Sequence, residues 1–217
     1  MKKNLLPGGC LVLTVLALVG CRSLYYGTME KFGVPKREIM VDRVKSAQAS
    51  QSEAKEEFKS ALEQFASVVK VEGGDLQKKY DKLSAAYEDA EAQAGEVRDR
   101  IDSIESVADA LFDEWRGEIK QYSNAELRRA SQQQYDATLA EYKQLMKTMN
   151  TAAKSMDPVL AAFKDQVMFL KHNLNARAIM GIRQEATRIE SDVKQLITRM
   201  EASIAEADKF IRNMTAK

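Results

Sequence analysis

Two cysteines and one histidine in 217 residues leave little from which to build a reactive centre. Both cysteines, Cys10 and Cys21, fall near the start, so the rest of the chain has neither a disulfide framework nor a thiolate metal site. His172 stands alone. A ferritin-like di-iron site needs two Glu-x-x-His pairs, and a zincin needs two histidines one turn apart. No Gly-x-Ser-x-Gly elbow is present to raise a nucleophilic serine. The expectation is therefore no catalytic residues, no metal ligands and no cofactor. A surplus of one charge sign is also missing, with 33 Lys and Arg against 32 Asp and Glu. That balance argues against nucleic acid as a partner, which would call for concentrated basic charge. Only three prolines and ten glycines punctuate the chain, and strand-forming residues never alternate for long. What remains is a pattern for long helices.

Long apolar runs are also scarce. The strongest covers residues 11–19, too short to span a bilayer as a stable helix. It follows Lys2 and Lys3 and ends in Leu18-Val19-Gly20-Cys21, which resembles a lipobox. The expectation is a signal peptide at residues 1–20, cut so that Cys21 becomes the new terminus and takes lipid, palmitate included. Losing Lys2 and Lys3 leaves 31 basic side chains against 32 acidic ones. Arg22 follows Cys21, whereas Asp at that place commonly signals inner-membrane retention in Gram-negative lipoproteins. The lipobox resemblance thus implies an outer-membrane lipoprotein facing the periplasm. Residues 21–34 read as a membrane-proximal linker. Its Leu24, Tyr25, Tyr26 and Phe32, with Arg22, Lys31, Lys36 and Arg37 nearby, suit a membrane interface or a cover for the bottom of a helical bundle.

From Pro35 onward the apolar residues recur at heptad spacing. A first seam reads Met40, Val44, Ala47, Gln51, Ala54, Phe58, Ala61, Phe65, Val68, with Gln51 its one polar member. Pro35 is expected in the first helical turn, and Glu72-Gly73-Gly74 as the stop. Asp75 is a good cap for a second seam of Leu76, Tyr80, Leu83, Tyr87, Ala90, Ala94, Val97, Ile101, Ile104, Ala108, Leu111 and Trp115. Ser123-Asn124-Ala125-Glu126 reads as a capping box that opens the next helix.

A third seam runs Tyr135, Thr138, Tyr142, Leu145, Met149, Ala152, Met156, Val159, Phe163, Val167, Leu170, Leu174 and keeps its phase through Asp157-Pro158. Successive steps of four at Leu174, Ala178, Ile182 and Ala186 form a stutter. The phase then recovers as Ile189, Val193, Leu196, Met200, Ile204, Ala207, Ile211, Met214. A reversal at residues 173–175 would give helices of about 37, 48, 49 and 40 residues, which match well enough to pack side by side. One at Pro158 would leave a final helix overhanging its neighbours. The expected fold is all-α, an elongated antiparallel bundle of three or four long coiled-coil-like helices over residues 35–217. The same seams can instead pair between chains, as an extended homo-oligomer.

With Tyr25-Tyr26, Lys36-Arg37-Glu38, Gly73-Gly74-Asp75, Leu111-Phe112-Asp113-Glu114-Trp115, Asp157-Pro158 and the stretch from Phe169 to Ile179 in view, the chain resembles a bacterial lipoprotein family classed as a domain of unknown function, DUF2959. The resemblance implies no activity and carries no catalytic or ligand residues with it.

Four features invite a functional reading. His172, Asn173, Asn175 and Arg177 gather at the stutter and could bind a partner carboxylate or glycan, or merely satisfy a helix reversal. Asp109, Asp113, Glu114 and Glu118 beside Trp115 could hold a hard cation, or form the wet face of a helix. Ala90, Ala94 and Gly95 make a slim waist, and Met146, Met149, Met156, Met168 and Met180 a pliable surface, that could receive partner helices or simply pack. The leading expectation is a membrane-anchored structural or protein-interaction module with an envelope protein or cell-wall partner. An envelope enzyme using His172, or a chaperone-like clamp around unfolded clients, stands beside it.

Overall fold

A computed structural model describes residues 35–70 and 76–216, apart from the side chains of residues 176–178. It holds four helices, α1 (Lys36–Val69), α2 (Leu76–Ile119), α3 (Ala125–His172) and α4 (Ala176–Thr215), and no strand among the described residues. The signal peptide expected at residues 1–20, Cys21, the linker expected at 21–34, and the stop and cap expected at Gly73-Gly74 and Asp75 lie outside the described residues.

Each helix packs on its neighbours in the ring α1, α2, α3, α4 and back to α1. Short connections and this cyclic order make an antiparallel up-down bundle of four helices. The helices have 34, 44, 48 and 40 residues. At about 1.5 Å per residue they run from roughly 50 to 70 Å, so the molecule is a rod. α3 continues unbroken through Pro158. Lys154 and Pro158 are both exposed, so the carbonyl that proline leaves unpaired faces water.

The heptad seams form the core. Every member of the first seam is buried, including Gln51. The second is buried from Leu83 to Leu111, with Leu76, Tyr80 and Trp115 half-buried at its ends. Phe58, Phe65, Phe163 and Phe210 are among the largest fully enclosed side chains, each worth about 1.5–3 kcal/mol in burial. Phe65 and Phe163 meet edge to face across the interior at 6.2 Å.

Three expectations need correction. In α4 the buried line after Met200 is Ser203, Ala207, Phe210 and Met214, whereas Ile204 and Ile211 are only half-buried. This line keeps alternating steps of three and four from Ile189 onward, while the apolar line through Ile204 and Ile211 inserts an extra step of four. A buried serine concealed the true phase. The cap of α3 is Asn124, not Ser123: Asn124 Oδ1 accepts from the N–H groups of Glu126 at 2.8 Å and Leu127 at 3.1 Å. Pro35 is the cap of α1 and not its first helical residue. Its φ of −64° suits a helix, but its ψ of 144° is extended, and its carbonyl accepts from Glu38 and Ile39.

Candidate interaction site

The two ends of the rod differ. At the first, α1 begins beside α2, and α4 finishes beside α1 and α3. Lys36 Nζ lies 3.0 Å from Glu114 Oε1, and the Arg37 guanidinium donates to the Met214 carbonyl. α2 and α3 continue past this level as a hairpin, in which every residue from 120 through 130 is exposed. Where the hairpin leaves the bundle its inner face is aromatic. Phe112 packs on Tyr135 at 5.6 Å and on Tyr142 at 5.4 Å, and Trp115 on Tyr135 at 5.7 Å. Trp115 Nε1 donates to Ser131 Oγ at 2.9 Å. Burial, reinforced by Glu105 and Asp109, pushes the Tyr142 phenol up to about 12. An open cleft of about 390 Å³ lies beside this cluster, lined by Arg37, Leu111, Glu114, Trp115, Thr138 and Met214 among others.

The opposite end carries the reversal at residues 173–175. Arg183 Nε donates to the Val69 carbonyl at 2.9 Å, so the start of α4 lies beside the end of α1, away from Lys36. Asn173 closes α3: its N–H donates to the Leu170 carbonyl at 3.0 Å and its side-chain amide to the Phe169 carbonyl at 2.9 Å. Those bonds occupy carbonyls that a helix C-terminus leaves unpaired. Asn175 N–H donates to the Asn173 carbonyl at 2.9 Å, and its own carbonyl accepts from Ile179 in the first turn of α4.

The structure therefore brings His172, Asn173 and Asn175 into one turn. His172 and Asn175 are exposed and Asn173 is half-buried. Arg177 follows in the first turn of α4, its side chain outside the described residues. Asn173 is committed to the backbone, and His172 and Asn175 are the exposed polar members of the turn beside it. Sequence reasoning singled out Met168 and Met180 but overlooked Phe169, the apolar neighbour of this turn. Phe169, with Met168 and Met180, is among the exposed large hydrophobic residues of the described chain, at 44% against 58% and 61%. The available signal was their position off the heptad seams.

The other candidates dissolve into packing and solvent. Asp109, Asp113 and Glu118 are exposed, Asp113 pairs with Arg116 at 3.3 Å, and Glu114 pairs with Lys36. Among the described residues no group of three or more His, Cys, Asp or Glu side chains is placed to hold a metal ion. Met146, Met149 and Met156 are core residues, which splits the methionine surface expected from sequence into a buried part and the exposed Met168 and Met180. Ala90 and Ala94 are fully buried. Gly95 is not part of that waist, because a Cβ added there would meet nothing within 4 Å. No described helix is long and apolar enough to cross a membrane.

Fold and surface together define a rod-like helical bundle with two dissimilar ends. The chain belongs to the family described as "Protein of unknown function (DUF2959)", whose model matches residues 25–214. Neither the curated proteins nor the solved structures contain a match to it.

Proposed function

We propose that this protein is a lipid-anchored module of the outer membrane, facing the periplasm, which holds a stiff helical rod at the bilayer and binds another envelope component with its far end. The observation that carries this reading is the polarity of the rod. Lys36, from which the chain leads back to Cys21, and the turn bearing Phe169 and His172 occupy opposite ends. Thirteen residues, 22–34, lie between Cys21 and Pro35. They reach at most about 50 Å when extended, so lipid on Cys21 keeps the Lys36 end near the membrane and turns the other end outward.

In this reading the lipid supplies location, the heptad core supplies stiffness, and the exposed Phe169, Met168 and His172 supply an apolar and polar contact for a partner. Large apolar side chains left exposed together are a common mark of interaction surfaces. No chemistry is required of the chain.

The test uses intact cells. Labelled palmitate should enter the natural protein and not the Cys21→Ser variant, and the natural protein should fractionate with the outer membrane. A photoreactive residue at position 169 or 172 should give one discrete adduct with an envelope component, and one at position 126 should not. An unacylated protein recovered from the cytosol would refute the anchoring, and equal adducts from both ends would refute the directed contact.

A further inference from the structure

Gln51 and Ser203 are the anomalies of the core. Both are fully enclosed, and the Gln51 amide nitrogen, the Gln51 amide oxygen and the Ser203 hydroxyl have no hydrogen-bond partner. They also share one level of the rod. Gln48 Nε2 donates to the Ile204 carbonyl at 3.2 Å, and Lys55 Nζ lies 3.7 Å from Glu201 Oε1. Residue 51 of α1 therefore faces the stretch of α4 between 201 and 204. On the other flank Gln93 donates to the Ser50 carbonyl and to Glu53 Oε2, which brings the enclosed Ala94 to the same height. Phe65 and Phe163 touch across the interior, and two heptads earlier on these parallel helices stand Gln51 and Met149. One cross-section thus contains Gln51, Ala94, Met149 and Ser203.

We propose that Gln51 and Ser203 act together as a register lock, selecting the pairing of α1 with α4 in one chain over the other pairings that the heptad seams allow. The seams repeat every seven residues, so sliding α4 by one heptad, or exchanging it with a second chain out of register, still sets apolar residues against apolar residues. Such a slide moves Ser203 away and puts Leu196 or Phe210 opposite Gln51. At the native level the amide and the hydroxyl stand at one height of the core, where a side-chain rotation or one shared water would join their three unpaired atoms. In a slipped register the Gln51 amide meets only hydrocarbon. Each buried polar group stranded in this way weighs against the slipped state by a factor on the order of ten to a hundred. A single polar residue in an apolar seam fixes register in coiled coils at some cost in stability. This inference stands apart from lipid anchoring and from any partner.

The experiment compares the full chain with a Gln51→Leu, Ser203→Ala double variant. Thermal unfolding, light scattering and zero-length carbodiimide coupling mapped by peptide mass spectrometry are read together. The natural chain should be a single species that couples Lys55 to Glu201. The double variant should melt about 5–10 °C higher and yet lose selectivity, coupling Lys55 also to Asp208, one heptad along, or forming larger species. Ser203→Ala alone, which barely alters the packed volume, should show the same mixed coupling to a smaller extent. A double variant that melts at or below the natural temperature would overturn the proposal. So would a higher melting point with unchanged coupling and mass, or a natural chain that is itself a mixture.

Discussion

Lys36 Nζ and Glu114 Oε1 stand 3.0 Å apart, with the Lys36 side chain only 9% exposed and that of Glu114 34% exposed. The pair ties the first residue of α1 to α2, five residues before α2 ends at Ile119. Removing the acid takes a charged partner from an enclosed ammonium, whereas removing both charges does not leave that imbalance. Glu114→Ala should therefore cost about 1–2 kcal/mol, a value discounted for the partial exposure of the acid. The double change Lys36→Met with Glu114→Gln should cost less than Glu114→Ala alone. Urea unfolding of the natural chain and the two variants checks the ordering, and equal losses for the single and double variants would contradict it.

Asn124, not Ser123, accepts from the first free N–H groups of α3. Asn124→Ala should lower stability by about 1 kcal/mol, and Ser123→Ala should stay within about 0.5 kcal/mol of the natural chain. Chemical unfolding distinguishes the two; a larger loss at Ser123 would restore the capping box read from sequence.

The phase of α4 can be tested at two adjacent positions. Phe210 is 1% exposed and Ile211 only half-buried. Phe210→Ala should cost about 3–5 kcal/mol, and Ile211→Ala clearly less. Comparable losses would mean that the seam runs between the two.

Two phenols carry a signature at high pH. Burial, then the bond to Glu91 at 2.6 Å, pushes Tyr87 up to about 12, and burial does the same for Tyr142. The folded state favours the neutral phenol in both, so their contribution is complete below the unfolded value near 10. It is lost as pH rises from about 10 to 12. Absorbance at 295 nm should show two tyrosines ionising late, near pH 12 or with unfolding. Tyr87→Phe and Tyr142→Phe should each remove one. Complete ionisation of all tyrosines by pH 10.5 with the helices intact would count against this.

Most of the architecture was legible before any coordinates. Heptad spacing marks which face of each helix must leave water, and that constraint is local, so the seams through Val44, Ile104 and Phe163 could be read directly. Length matching favoured a reversal at residues 173–175 over one at Pro158, because a helix far longer than its neighbours has nothing to cover its apolar stripe, and the continuous α3 decided between them. The local code failed where two local solutions were nearly equal. Ser123 and Asn124 are both good caps, and only the backbone path selects one. Ile204 and Ile211 look more like core than Ser203 does, and only packing against α1 decides the phase.

Sequence alone determined that this chain folds as long helices with apolar seams, since periodicity and the scarcity of proline and glycine are properties of the chain itself. It also supplied the Leu18-Val19-Gly20-Cys21 motif on which the proposed anchoring rests. Tertiary structure decided what depends on distant segments meeting: the ring of four helices, the pairing of Lys36 with Glu114, the exposure of Phe169 at the end remote from Lys36, and the polar level shared by Gln51 and Ser203. Those relations join residues far apart along the chain, and no local pattern encodes which of several equivalent heptads comes to rest against another.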